Sequence, residues 1–171
     1  FRTLAEALSY CDALGFPASS AAAQKVTSSR TQEITIPKMA NAALSENWLL
    51  KEMGDMHWEL LSKGLEQKSS EFTDSQGNRL YAAFLRISYS ISPLHLFSEN
   101  ETLHLGSEIS RFGNYNYCTA VNGHCGDKAI TADLMTSFSA RKANDNSQIS
   151  RSNPEEKINH VPEFAATPHF Y

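Results

Sequence analysis

The chain has 171 residues, of which 41% are hydrophobic and 10% aromatic, and its formal net charge is −4. That is enough for one domain with a real core, short for two, and unlike a disordered chain. No long basic run offers counter-charge to a nucleic acid, and no uninterrupted apolar run approaches membrane-spanning length.

The amino end is no secretory signal, because Ser, Glu, Asp and Gln break its apolar residues. Phe1 is not an initiator methionine, which reads as a trimmed, processed or excised chain. Phe1, Leu4, Ala5, Leu8 and Cys11 recur at helical spacing and predict a short helix ending near Gly15-Phe16-Pro17. The Ala- and Ser-rich residues 18–29 can be linker, helix or loop. Residues 30–36 read as a strand with Ile34 and Ile36 on one face and Pro37 just after it.

A long amphipathic helix follows. Ser45 can cap it, Glu46 sits well in its first turn, and it runs to about Leu65. Leu49, Met53, Met56 and Leu60 gather on one side, with Leu50, His57, Leu61 and Gly64 beside them. Lys51, Glu52, Asp55, Glu59, Ser62 and Lys63 lie opposite, and Trp48 and Trp58 fall outside the main apolar arc. Gly54 weakens the helix, so a close approach by a sheet is the expected reason for it.

Residues 74–78 form a turn, expected to join a short strand near 69–73 to a long one over 80–91. Simple alternation puts Tyr81, Ala83, Leu85, Ile87, Tyr89 and Ile91 on one face. Leu103, Leu105 and Ile109 mark a strand over 101–112, Gly113-Asn114 a hairpin into 115–121, and Asn122-Gly123 a further turn. The last strong strand spans 128–141, with Ile130, Ala132, Leu134, Thr136 and Phe138 facing one way. Residues 144–147 and 153–156 have surface-loop chemistry, and 160–171 turn apolar again. One helix among many strands fits an α+β fold, a long sheet wrapped around a helix, better than repeated strand–helix units. Where that helix meets the sheet there is room for a narrow acyl-binding slot.

Cys11, Cys118 and Cys125 are an odd set without CxxC spacing, which suits reduced thiols in a cytoplasmic setting. Cys118 and Cys125 can also meet across a hairpin. The six histidines are scattered, so no metal cluster is nominated by spacing, and no nucleophile elbow, phosphate loop, dinucleotide fingerprint or HExxH occurs.

The candidate site residues each have a plain reading beside a functional one. His57, inside the apolar arc, can act as acid or base, or be a packed histidine satisfied by local partners. Asp55 points to the polar side, so the two do not pair within one helix. Tyr81 can place a hydroxyl at the end of an apolar slot, or pack in the core. Glu46 and Asn47 sit where exposed amides hold a carbonyl or an oxyanion, although capping and solvation also explain them. Arg111 and Arg141 end strands and suit a pantetheine phosphate or an acidic carrier protein; solvated strand ends are the alternative.

The run Leu44-Ser45-Glu46-Asn47-Trp48-Leu49-Leu50-Lys51-Glu52, then Gly54-Asp55 and His57-Trp58, resembles the signature of a biosynthetic double-hotdog family. That family includes the bifunctional acyltransferase/decarboxylase of leinamycin biosynthesis. Tyr81-Ala82-Ala83-Phe84, Ser110-Arg111-Phe112-Gly113 and Leu134-Met135-Thr136-Ser137-Phe138 add to the likeness, which covers roughly residues 30–154, as do Asn144-Asp145-Asn146 and Ser150-Arg151-Ser152-Asn153-Pro154. The resemblance implies a hotdog fold, an antiparallel sheet curled around a long central helix. It implies decarboxylation of a malonyl or methylmalonyl thioester and transfer of the acyl group to an acyl carrier protein in polyketide biosynthesis. Coenzyme A or a phosphopantetheine thioester is then the substrate, and no cofactor is tightly bound. Tyr81 matches the tyrosine associated with acyl transfer, with His57 or Asn47 polarising the thioester carbonyl and Glu46 and Arg111 contacting the substrate arm. Dehydratase or thioesterase chemistry, or a non-catalytic docking or dimerisation domain, are the alternatives. The family pattern has two hotdog units, whereas this length allows one: lead-in 1–29, hotdog domain 30–142, and 143–171 as polar loop and extension or the start of a second unit. A homodimer or a second unit is expected to complete the slot.

Overall fold

The computed structural model describes residues 25–68, 71–113, 115–142 and 145–154. The expected helix before Pro17, Cys11 and the apolar stretch after residue 160 lie outside them. The described chain runs β1 (Val26–Glu33), a 3₁₀ turn (Ile36–Lys38), the short pair β2 (Met39–Ala40) and β3 (Ala43–Leu44), then α1 (Glu46–Leu65). It continues with β4 (Leu80–Ile91), a second 3₁₀ turn (Leu94–Leu96), β5 (Thr102–Phe112), β6 (Asn116–Cys125), β7 (Lys128–Lys142) and β8 (Asp145–Arg151).

One antiparallel sheet of order β1-β5-β6-β7-β4, with β8 on the far end of β7, packs around α1. This is the hotdog arrangement, and it follows from local signals. Ser45 accepts a hydrogen bond from the Trp48 amide at 3.3 Å and so opens α1. Glu66 closes it in a left-handed conformation, φ 51°. Leu49, Met53, Met56, His57, Leu60, Leu61, Gly64 and Leu65 are buried, as the helical arc requires. They meet two contiguous clusters. Leu103, Leu105, Val121, Ile130 and Leu134 pack on the amino-terminal half of α1, and Phe72, Leu80, Ile109, Tyr117 and Phe138 on the other half.

Several local expectations are corrected. The first strand begins at Val26, not Arg30, and ends before Pro37, whose ring belongs to a 3₁₀ turn. Ile34 is fully buried while Ile36 is 72% exposed, so they do not share a face. Of the short strand expected near 69–73, the described residues 71–73 show a single bridge, between Thr73 and Arg79. Asn122-Gly123 lies inside β6, and the turn falls at Gly126, φ 59°. Gly123 is there for proximity: a Cβ would lie 3.0 Å from the His104 carbonyl oxygen and 2.5 Å from Leu105 Cδ2. Cys118 and Cys125 therefore share one strand, seven positions apart on opposite faces, and both are free and buried. Residues 145–151, read as loop, pair with β7 as a strand.

The largest correction concerns β4. A bulge at Leu85 breaks its register with β7, so Phe84 sits opposite Thr136 and Arg86 opposite Met135. Leu80, Ala82, Phe84, Ile87, Tyr89 and Ile91 face the helix side. Tyr81 and Ala83 face the outer side with Ser88 and Ser90.

Candidate functional site

Among the described residues, two hollows flank α1, one at each end of β4. The larger, about 790 Å³, is lined by Arg30, Asp55, Trp58, Glu59, Ser62, Lys63, Phe72, Arg79 and residues 80–82. The smaller, about 420 Å³, lies at the start of the helix among Glu46, Tyr89 and residues 90–94.

The charges of the larger hollow are unequal. Glu59 is held by Lys63 at 2.5 Å, by Arg30 at 3.1 Å and by the Ser28 hydroxyl at 3.1 Å. Lys63 first, then Arg30 and Ser28, outweigh the cost of partial burial and keep its pKa down to about 2. Glu52 is likewise taken by Arg30, at 2.6 Å. Asp55 is exposed on the helix face and has no hydrogen-bond or ion-pair partner among the described residues. It is the one lining carboxylate of this hollow left open to a substrate or a water. Trp58 forms a wall, edge-on to Phe84 with ring centres 5.5 Å apart and tilted against Phe72.

His57 lies sealed behind that wall. It is fully buried, with Nδ1 2.7 Å from Thr119 Oγ1 and Nε2 2.9 Å from Thr136 Oγ1. A neutral imidazole satisfies both contacts, donating through one nitrogen and accepting a hydroxyl proton at the other. Burial without an anionic partner pushes its pKa down to about 3. The ring is 5.4 Å from that of Phe84, on the strand that borders the hollow.

Tyr81 lines the larger hollow from β4, with its ring on the outer sheet side. The Arg141 guanidinium lies 4.1 Å and that of Arg79 5.6 Å from its centroid. Glu46 and Asn47 are at the other end of the helix. Fourteen residues separate Glu46 from Leu60, the leucine that clusters with Leu80, so Tyr81 and Glu46 are about 20 Å apart along the axis. One copy of the chain therefore does not bring Tyr81 together with Glu46 and Asn47. Glu46 instead accepts a hydrogen bond from the Tyr89 hydroxyl, which raises the phenol pKa. Arg111 is half-buried near the end of β5, opposite Tyr117. Asp55, Trp58 and Tyr89 were missed as candidates. Helical spacing did put Asp55 on the polar face, but nothing in spacing shows that this face borders a hollow.

Among the described residues, no three His, Cys, Asp or Glu side chains gather as a metal site, and no helix is long and apolar enough to cross a membrane.

The geometry is that of a single hotdog unit, and solved structures agree. The chain resembles a probable thioesterase from Bartonella henselae with a TM-score of 0.55, at 11% identity over 76% of this chain and 98% of that one. It resembles Slr0204, a 1,4-dihydroxy-2-naphthoyl-CoA thioesterase from Synechocystis, with a TM-score of 0.54 and 12% identity over 75% and 88% of the two chains. A 12:0-ACP thioesterase from Umbellularia californica gives 0.59 at 11% identity, over 76% of this chain and 50% of the other. No family model and no curated protein matches. At these identities the likeness establishes the fold.

Proposed function

We propose that this chain is an acyl-thioester enzyme whose first chemistry is hydrolysis, with Asp55 as its general base. The observation that carries the reading is the unpartnered Asp55 carboxylate in a hollow of about 790 Å³ whose other acid, Glu59, is neutralised. The three similar structures, each a thioesterase by name, support the same class. Asp55 takes a proton from water, the hydroxide adds to the thioester carbonyl, and collapse releases the acid while the sulfur leaves as a thiol carrying that proton. His57, neutral and fixed by two threonines, is a positioning residue that holds Phe84 and Trp58 in the wall.

The donors for the oxyanion come from a second copy. Among the described residues β4 is an edge strand, 12 residues long, with Phe84, Leu85, Ile87 and Tyr89 between 38% and 53% exposed, so its open edge invites another strand. Antiparallel pairing of two β4 strands about a two-fold axis sets the Tyr81 end of one against the Tyr89 end of the other. The larger hollow of one copy then faces the Asn47 side chain and the free amides at the partner's helix start, donors suited to a developing oxyanion.

Decarboxylation of a malonyl or methylmalonyl thioester and transfer to an acyl carrier protein use the same parts. The enolate left by loss of carbon dioxide needs those same donors. Mixed dimers test both levels. Asp55→Asn and Asn47→Ala should each lose about a hundredfold or more in turnover of an acyl thioester, on the scale of a lost catalytic base or oxyanion donor. Mixing the two inactive proteins should restore activity, because one of the two sites in a mixed dimer is whole. Full activity of the Asp55→Asn protein would overturn the base, and inactive mixtures of exchanged dimers would overturn the shared site. Loss of carbon dioxide from a methylmalonyl-loaded carrier, measured by intact mass, would favour the decarboxylating reading over hydrolysis.

A further inference from the structure

The outer face of the sheet carries a second constellation beside the larger hollow. In the register, Tyr81 lies opposite Ser139, and Ser139 opposite Arg151 on its other side, so the three form one row across β4, β7 and β8. Arg141, two residues past Ser139, falls on the same face, with its guanidinium over the Tyr81 ring. Arg79, two residues before Tyr81, reaches the same ring from the β4 side. Three exposed arginines thus surround two hydroxyl-bearing side chains.

Arg141 and Arg151, near one another on adjacent strands, repel, so their arrangement costs stability unless an anion joins it. Tyr81 offsets part of that cost, since its ring attracts the guanidinium groups and splays them around a common centre. Asp74, which Ser152 reaches at 3.4 Å, is already engaged by the Gln76 and Asn78 amides at 2.9 Å each. No carboxylate among the described residues pairs with Arg141 or Arg151.

We propose that Arg79, Arg141 and Arg151, with the hydroxyls of Tyr81 and Ser139, bind a phosphate group of the thioester's carrier arm. Planar guanidinium forks match phosphate oxygens in pairs, and neutral hydroxyls complete the set. The position is apt: Arg79 and Tyr81 also line the hollow that holds Asp55, so a phosphate anchored outside leaves the arm pointing inward. Tyr81 becomes a binding residue, and its ring needs no activation as a nucleophile. The site rests on the thioester reading for its ligand, and phosphate is the chemistry shared by coenzyme A and a phosphopantetheinylated carrier protein.

The test is calorimetric binding of coenzyme A, dephospho-coenzyme A and phosphate-free pantetheine to the wild type and to the Arg141→Ala/Arg151→Ala double variant, alongside turnover of an acyl-CoA and an acyl-N-acetylcysteamine thioester. The wild type should bind coenzyme A at least about tenfold more tightly than pantetheine, the scale of one charged hydrogen bond, and the double variant should lose that preference. Its acyl-CoA KM should rise by a similar factor, so that acyl-CoA is no longer favoured over the N-acetylcysteamine thioester. Loss of preference with dephospho-coenzyme A assigns the ribose phosphate. A preference kept there, together with weaker binding of a phosphopantetheinylated carrier to the double variant, assigns the phosphate next to the pantetheine. A double variant that keeps the full preference overturns the site. Coenzyme A binding that depends on the arginines without any thioester turnover overturns the hydrolase reading and leaves the phosphate site standing. Melting temperature checks that the variant is folded.

Discussion

β5 and β4 are strands of 11 and 12 residues, both rich in apolar side chains, and they end up in opposite circumstances. β5 lies between β1 and β6 and buries Leu103, Leu105 and Ile109 almost completely against α1. Among the described residues β4 has a neighbour on one side only, and it leaves Phe84, Leu85, Ile87 and Tyr89 partly in solvent. Apolar side chains are therefore core in one strand and an unfinished surface in the other. The difference is not in the strands but in what stands beside them. Both hollows, and every residue proposed for catalysis, lie along β4 or on the helix beside it.

The largest effect should come from the finished strand. Leu105→Ala removes a side chain that is 2% exposed and packed between α1 and β6, and should cost about 2–5 kcal/mol in urea unfolding. A cost below about 1 kcal/mol would mean that the helix collapses into the space and that the core is far softer than its packing suggests.

Next comes the pH response, which belongs to the buried side of the same contrast. His57 has a folded pKa of about 3 against 6.5 when free, so the unfolded chain binds its proton first. Its contribution is complete above pH 6.5 and is lost as pH falls from there towards 3. Between pH 6 and 5, above the 4.5 at which Glu59 takes up its proton in the unfolded chain, stability should fall by up to about 1.4 kcal/mol per pH unit from this group. His57→Gln keeps a hydrogen-bonding side chain without a titrating one and should flatten that slope. A slope unchanged in the variant would locate the acid sensitivity elsewhere.

How legible these regions were differs for the same reason. The cap at Ser45, the buried arc of α1 and the alternation of Ile130 to Phe138 are short-range patterns, written in neighbouring residues, and they hold in the structure. The bulge at Leu85 is a matter of register between β4 and β7, and residues more than forty positions apart decide it. Alternation alone therefore put Tyr81 on the same face as Tyr89. Gly123 looked like a turn because glycine after asparagine usually is one; the carbonyl of His104 that crowds it comes from another strand. Asp55 read correctly as polar, yet whether a polar face meets bulk water or a hollow is set by where β4 and its neighbours stop. The local half of the site was visible, and the assembled half was not.

Gly54 sharpens the comparison at about 0.5–1 kcal/mol. The expected close approach by the sheet is not seen, and a Cβ there would meet nothing within 4 Å. In an isolated copy Gly54→Ala should therefore stabilise α1 by about that amount through helix propensity alone. If the space beside Gly54 is where a second copy or an acyl chain passes, the same variant should lower acyl-thioester turnover while its melting temperature rises. A rise in both would leave the glycine without a functional reason.

The smallest effect on folding should come from the surface that matters most to assembly. Ile87 is 40% exposed on the open edge, so Ile87→Lys should change the monomer's unfolding free energy in urea by no more than about 0.5 kcal/mol. Placed in the middle of a strand that pairs with its own copy, the same lysine would face a second one across the two-fold axis. Repulsion there, added to the lost apolar contact, should convert a dimer to a monomer in light scattering. Activity should fall with the dimer, because the Asn47 side chain and the helix-start amides would leave with the partner. A variant that stays dimeric and active would mean that copies meet elsewhere, and that β4 is left bare for another reason.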